Sequence, residues 1–152
     1  MPSISKIIAG QRKLHHIKAG TPVIDAVKTM VENNVGALPV LDGDRLVGVF
    51  SERDLMRRVI VKGVDPGQVK VRDVMSTELV TADINDDHTT CLQKMSQFQC
   101  RHLPVVDGNN LVAFLSARDL IKAEVEGIKS EIQSLTEYIH YVPPPGKKEQ
   151  KT

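Results

Sequence analysis

The sequence predicts an α+β fold made of tandem β-α-β-β-α repeats. Pseudo-twofold symmetry relates the repeats, helices pack their small sheets, and a C-terminal helix is added. Three observations predict this. First, a shift that brings Leu38 onto Leu103 aligns Thr21 to Val59 with the second half without a gap. Met30, Leu38, Pro39, Val40, Asp42, Gly43, Leu46, Val47, Ser51, Arg53, Asp54 and Leu55 all meet identical residues. Second, apolar residues in each copy switch from helical to strand-like spacing at matching places. Third, one small sheet with a helical face cannot bury itself, whereas two copies packed together can.

The elements follow in order. Lys13 to Lys18 is a short candidate strand. Thr21 can cap a helix whose first turn holds Pro22. Val23, Val27, Met30 and Val31 then form its apolar face. Val35 to Leu41 and Arg45 to Phe50 read as strands joined by the turn Asp42-Gly43-Asp44. Ser51 caps a helix over Glu52 to Val61. Gly63 to Lys70 separates the copies, and Val71 to Met75 leads into the second. There Glu78 to Ala82 is the first strand and Asp86 the helix cap, with Leu92, Met95 and Phe98 turned inward. Cys100 to Val106 and Asn110 to Leu115 pair, and a helix starts after Ser116. The expected boundaries are 8–62 and 71–126 for the repeats and 127–142 for an amphipathic helix. Residues 143–152, rich in Pro and Lys, form an expected disordered tail. Ile121, Val125, Ile128, Ile132, Leu135 and Ile139 alternate by four and three, a narrow stripe that needs a cover from the body or another subunit.

Composition narrows the function. The 152 residues carry a formal net charge of +1 and only 3% aromatics, which argues against nucleic acid as the partner. Two cysteines without a CxxC give neither a disulfide framework nor a zinc site. No apolar run is long enough for a membrane span, no secretory signal is legible, and a cytoplasmic location is expected. The N-terminal stretch is basic and acid-free. No Ser-His-acid set is legible, Cys91 and Cys100 read as small buried residues, and catalysis is not expected.

The chemistry lies at the repeated junctions LVGVFSERDL and LVAFLSARDL. A Ser or Asp at a helix start is often only a cap, and that reading stands for each one alone. Here both occur at both junctions, and the Asp three residues on is not required for the cap. A carboxylate there can accept two hydrogen bonds from a vicinal diol such as a ribose. The Ser hydroxyl and free helix amides can meet phosphate or ribose oxygens. Arg53 and Arg118 stand beside these groups and can reach an anion. The second copy adds Arg101 and His102 before its buried strand, where the first has Gly36 and Ala37. Each can be an ordinary surface or structural residue. Beside Ser116 and Asp119 they can also hold a phosphate. Unequal binding by the two copies is expected.

The stretches GALPVLDGDRLVGVFSERDL and RHLPVVDGNNLVAFLSARDL resemble tandem CBS domains, the cystathionine β-synthase-type modules that pair as a Bateman module. The resemblance covers about Lys13 to Glu124 and extends to small stand-alone bacterial proteins of this kind. It implies a cleft between modules that takes an adenosyl ligand such as AMP, ADP, ATP, NAD or S-adenosylmethionine, with no cofactor required. It gives Asp54 and Asp119 the ribose role, Ser51 and Ser116 a nearby oxygen or phosphate, and Arg101 and His102 the positive positions. Thr81, on the first strand, would border the base, and His16 is its aligned counterpart. It also implies a homodimer and a regulatory action on another, unknown protein. The second class of function is a structural or protein-interaction module with no physiological nucleotide. Ala113 departs from the pattern where Gly48 keeps the usual glycine. Its methyl either narrows a ligand's approach or only packs.

Overall fold

The computed structural model describes residues 3–9 and 13–140. The expected tail over 143–152 and the end of the helix drawn to 142 lie outside these residues. In order, the elements are α1 (Ile4–Ala9), β1 (Ile17–Lys18), α2 (Val23–Asn33), β2 (Ala37–Asp42), β3 (Arg45–Ser51) and α3, which begins as Glu52–Asp54 and continues as a π-helix over Leu55–Ile60. There follow α4 (Val71–Val74), β4 (Ala82–Asp83), α5 (His88–Phe98), β5 (His102–Asp107), β6 (Asn110–Ser116) and α6 (Ala117–His140). Each repeat is one three-stranded sheet, in the orders β1-β2-β3 and β4-β5-β6. The first pair in each sheet is parallel and the second antiparallel.

The internal repeat extends to backbone detail. The α2 and α5 helices both end on a non-glycine left-handed residue, Asn34 (φ 52°) and Gln99 (φ 53°). Both hairpins turn on a glycine at φ 62°, Gly43 and Gly108. Only glycine takes that conformation without a Cβ penalty, which explains why it recurs at both tips. The register slips at the same step in each hairpin, Val40/Leu41 and Val105/Val106.

Two aliphatic cores result. Val23, Met30, Leu38, Val40, Phe50 and Val59 anchor the first, and Cys91, Met95, Leu103, Val105, Leu115 and Leu120 the second. Segments that precede the first strand of each repeat complete both. Ile4 of α1 is fully buried in the second core, while Val71 and Val74 of α4 close the first. The sequence placed Val71 to Met75 as a lead into the second copy; their packing belongs to the first.

Several local expectations are corrected. Pro22, not Thr21, holds the N-cap of α2, with no side-chain bond. Asp87, not Asp86, caps α5, its carboxylate accepting from the Thr90 N–H at 2.7 Å. That bond holds the Asp87 carboxyl below the usual range. Asp86 instead binds Lys94 at 3.0 Å. Val31 and Phe98 point outward, and Ala26 and Cys91 take the inward places. The first strands shrink to two residues each, so Thr81 stands just before β4 rather than on it. Burial pushes the Cys91 thiol up to about 11, as expected of a packed rather than a nucleophilic cysteine.

Gly48 shows why the repeats diverge in their strands. A Cβ there would lie 2.5 Å from Met75 Sδ and 2.9 Å from the Ser76 carbonyl oxygen. The segment at Ser76 pairs with Val49 through two backbone bonds, so the oxygen cannot retreat freely. Gly48→Ala is expected to cost about 1–3 kcal/mol by overpacking. Met75→Ala should recover only part of it, as read from denaturant midpoints, because the clash with Ser76 remains. Ala113 at the matching position is buried in the second core, and its methyl packs.

Candidate ligand site

Each junction is a reciprocal capping box. Ser51 and Ser116 sit at helix starts, and each side chain accepts from the backbone N–H of the Asp three residues on. The Asp carboxylates accept in return from the N–H of Ser51 and Ser116, both at 2.9 Å. The Asp is therefore part of the cap, contrary to the sequence expectation that the cap does not need it. Aspartate fills the place where such boxes often use glutamate.

Beyond the box the two carboxylates differ. Asp54 is buried, and both of its oxygens are engaged. Oδ1 accepts from Ser76 Oγ at 2.9 Å, and Oδ2 also takes Ser51 Oγ at 3.1 Å. The Arg58 guanidinium stands 3.8 Å from Oδ1 while donating to the carbonyls of Val74 and Met75. The segment after α4 is thus laid across the first junction and fastened there. Asp119 is half-buried, and its Oδ1 has no hydrogen-bond partner among the described residues. Arg53 and Arg118 are both exposed, and neither forms an ion pair among the described residues.

His102 opens β5 directly opposite Ser116 in the register. Its ring stacks on Phe114, centroids 5.3 Å apart and 8° from parallel. Burial holds its pKa below the usual value, and Arg101 pushes the same way. Asp119 and Glu52 pull it back up. Glu52 belongs to α3 of the first repeat, so its charge is felt at this ring from across the pair. Arg101 is exposed, and its carbonyl accepts from the Ala117 N–H at 2.8 Å, which fixes it beside the α6 start. In the first copy the matching bond runs from Glu52 N–H to Gly36. There the space of a Gly36 side chain is already filled by the Glu52 carboxylate. The pair Arg101/Ala117 thus replaces Gly36/Glu52, and a cation replaces an anion.

Ser116, Asp119, His102 and Arg101 come together, and the charge of Glu52, which sequence reading passed over, acts on the His102 ring. Thr81 is half-buried just before β4, the strand beside β5, and its carbonyl accepts from Lys94 Nζ at 2.9 Å. His16 stands elsewhere, in a shallow hollow with Leu14, Leu41, Asp44, Asn110 and Leu111 at the hairpin ends. Ser51, Asp54 and Arg53 form the filled junction. Of the residues missed, Arg58 was readable as the helical i+4 partner of Asp54. Ser76 and Met75 were not, because the fold alone brings them back. Among the described residues no group of three His, Cys, Asp or Glu side chains gathers as a metal site, and no helix is long and apolar enough to cross a membrane.

Comparison with known proteins adds a family. Residues 6–61 and 71–126 each match the CBS domain. The chain is 35% identical over 122 residues to the mitochondrial CBS domain-containing protein CBSX3 of Arabidopsis thaliana, covering 77% of this chain and 59% of that protein. It is 43% identical over 96 residues to the CBS domain-containing protein YhcV of Bacillus subtilis, covering 63% and 68%. Among solved structures, that of CBSX2 in complex with AMP superposes with a TM-score of 0.68 at 26% identity, over 82% of this chain and 96% of that one.

Proposed function

The chain belongs to the CBS-domain family, and from that premise we propose that it binds an adenosyl nucleotide beside Asp119 and uses it to regulate a partner protein. General nucleotide-binding and regulatory character comes with the family; the ligand and its place are the proposal. One observation carries it: of two matched carboxylates, Asp54 has both oxygens engaged by its own chain, and Asp119 keeps an oxygen open. Ser116 holds that carboxylate in place, so a ribose diol meets a preorganised acceptor. Arg101 and His102 supply donors for a phosphate. The bound AMP of CBSX2 supports the ligand class. AMP is the first candidate, with ADP, ATP, NAD and S-adenosylmethionine as competitors. The function is that of a binding module rather than an enzyme. A thermal-shift series with these five compounds tests it, with calorimetry on any that shift the midpoint. No shift and no heat with any of them would leave the protein-interaction reading, which the exposed stripe on α6 favours.

The pH dependence follows from His102. Its pKa is lowered in the free protein, so the ring is neutral near neutrality. A phosphate dianion beside it favours the imidazolium, so binding takes up a proton. AMP should bind more tightly as pH falls from 7.5 toward 6, about threefold or more by this linkage, and adenosine should not. His102→Gln should flatten the AMP curve in a calorimetric titration series. Without ligand the sign reverses. A lowered histidine pKa means the unfolded chain binds more protons, so stability is full above the ordinary value near 6.5 and declines as pH drops through it.

A further inference from the structure

We propose that α6 pairs with α6 of a second copy of this chain as a parallel, in-register, two-stranded coiled coil. Ile121, Val125, Ile128, Ile132, Leu135 and Ile139 form one heptad seam, and every one of them stands 43–69% exposed. The opposite side of the helix is already used: Leu120 is fully buried in the second core, with Ala117 packed against it. The body therefore holds only the first turns of α6, through Ala117, Leu120 and Ala123; residues 124–139 are exposed on every side and leave the seam open.

The flanking charges choose the partner and its direction. With Ile121, Ile128 and Leu135 at d and Val125, Ile132 and Ile139 at a, the g positions hold Glu124 and Glu131. The e positions hold Lys122 and Lys129. In a parallel pair each g residue faces the e residue of the partner's next heptad, so Glu124 meets Lys129 of the second copy, twice by symmetry. An antiparallel pair would set Glu against Glu and Lys against Lys. β-branched residues at every a and Leu135 at d fit two strands, with Ile121 and Ile128 at d as the departures from that pattern. Gly127 faces open space at position c, away from the seam. The CBS match ends at residue 126, so most of the seam lies beyond the domain pair.

Full-length protein tests this by sedimentation equilibrium and disulfide trapping. The wild type should have a two-chain mass at micromolar concentration. Leu135→Cys should cross-link to itself under mild oxidation, with wild type as the control for Cys91 and Cys100. Glu124→Lys should weaken pairing about tenfold or more, and adding Lys129→Glu should restore it. The double change Ile132→Asp with Leu135→Asp should give monomers with an unchanged melting transition of the domain pair. A monomeric wild type, a three-chain mass, or a dimer that survives the double change while the Leu135→Cys variant fails to cross-link would each overturn the proposal. Nucleotide binding has no part in these readouts.

Discussion

Asp54→Ala is expected to lower the unfolding free energy by about 3 kcal/mol while leaving nucleotide affinity within about twofold of wild type. Asp54 is 5% exposed, and its carboxylate serves the Ser51 N–H, the Ser51 hydroxyl and the Ser76 hydroxyl. Removing it strands those donors and leaves the partly exposed Arg58 without its acid. It also frees the segment that Ser76 ties across the junction, so Val71 and Val74 lose part of their hold on the first core. Urea unfolding followed by circular dichroism measures the loss. A change below about 1 kcal/mol would mean the network contributes little beyond an ordinary cap.

Asp119→Ala should show the opposite balance. Among the described residues its carboxylate accepts one hydrogen bond, from the Ser116 N–H, so its loss should cost about 1 kcal/mol of stability, as for a helix cap. Two ribose hydroxyls donating to a charged acceptor amount to ~2.8 kcal/mol, so AMP should bind about 100-fold more weakly. Asp119→Asn is informative as well. It keeps the shape but removes the charge and one acceptor atom, and it should fall between alanine and wild type. If Asp119→Ala and Asp54→Ala have equal effects on AMP affinity, the two junctions are not specialised.

The contrast between these aspartates marks how far the sequence could be read. The repeat was legible because twelve identities fall in one register, and the hairpin tips because Asp-Gly recurs at both. The Ser and Asp of each junction stood out for the same reason. Their spacing also fits a capping box, but the sequence reading left the aspartate outside the cap. Whether an aspartate still has an oxygen to offer depends on what the chain brings to it from afar. Ser76 is 22 residues from Asp54, and no local pattern announces the contact. The exchange of α1 and α4 between cores was illegible for that reason too, since a short apolar stretch fits either core. Val31 and Phe98 were misplaced because a helical stripe is broad at its margins. Each stands near a left-handed cap where the chain leaves the core, and its side chain lies outside the buried stripe. Thr21 and Asp86 were each one residue off the true cap, since neighbouring residues compete for that position.

The two-repeat arrangement also permits the division we propose, one junction spent on stability and the other kept for binding. Gly36 and Glu52 place an acid beside the first, and Arg101 with Ala117 leaves a cation and no acid at the matching places of the second. The charge of Glu52 acts on the His102 ring, so on the proposed reading a charged ligand at the second junction would act on the start of α3. Carrying a signal requires differential affinity for two packings of the repeats.

Amide chemical-shift mapping during an AMP titration tests the division between the junctions most directly. The amides of His102, Ser116, Ala117, Arg118 and Asp119 are expected to move in a saturable way, while those of Ser51, Asp54 and Ser76 stay in place. Equal movement at Ser51 and Asp54, or a saturable response confined to them, would contradict the account.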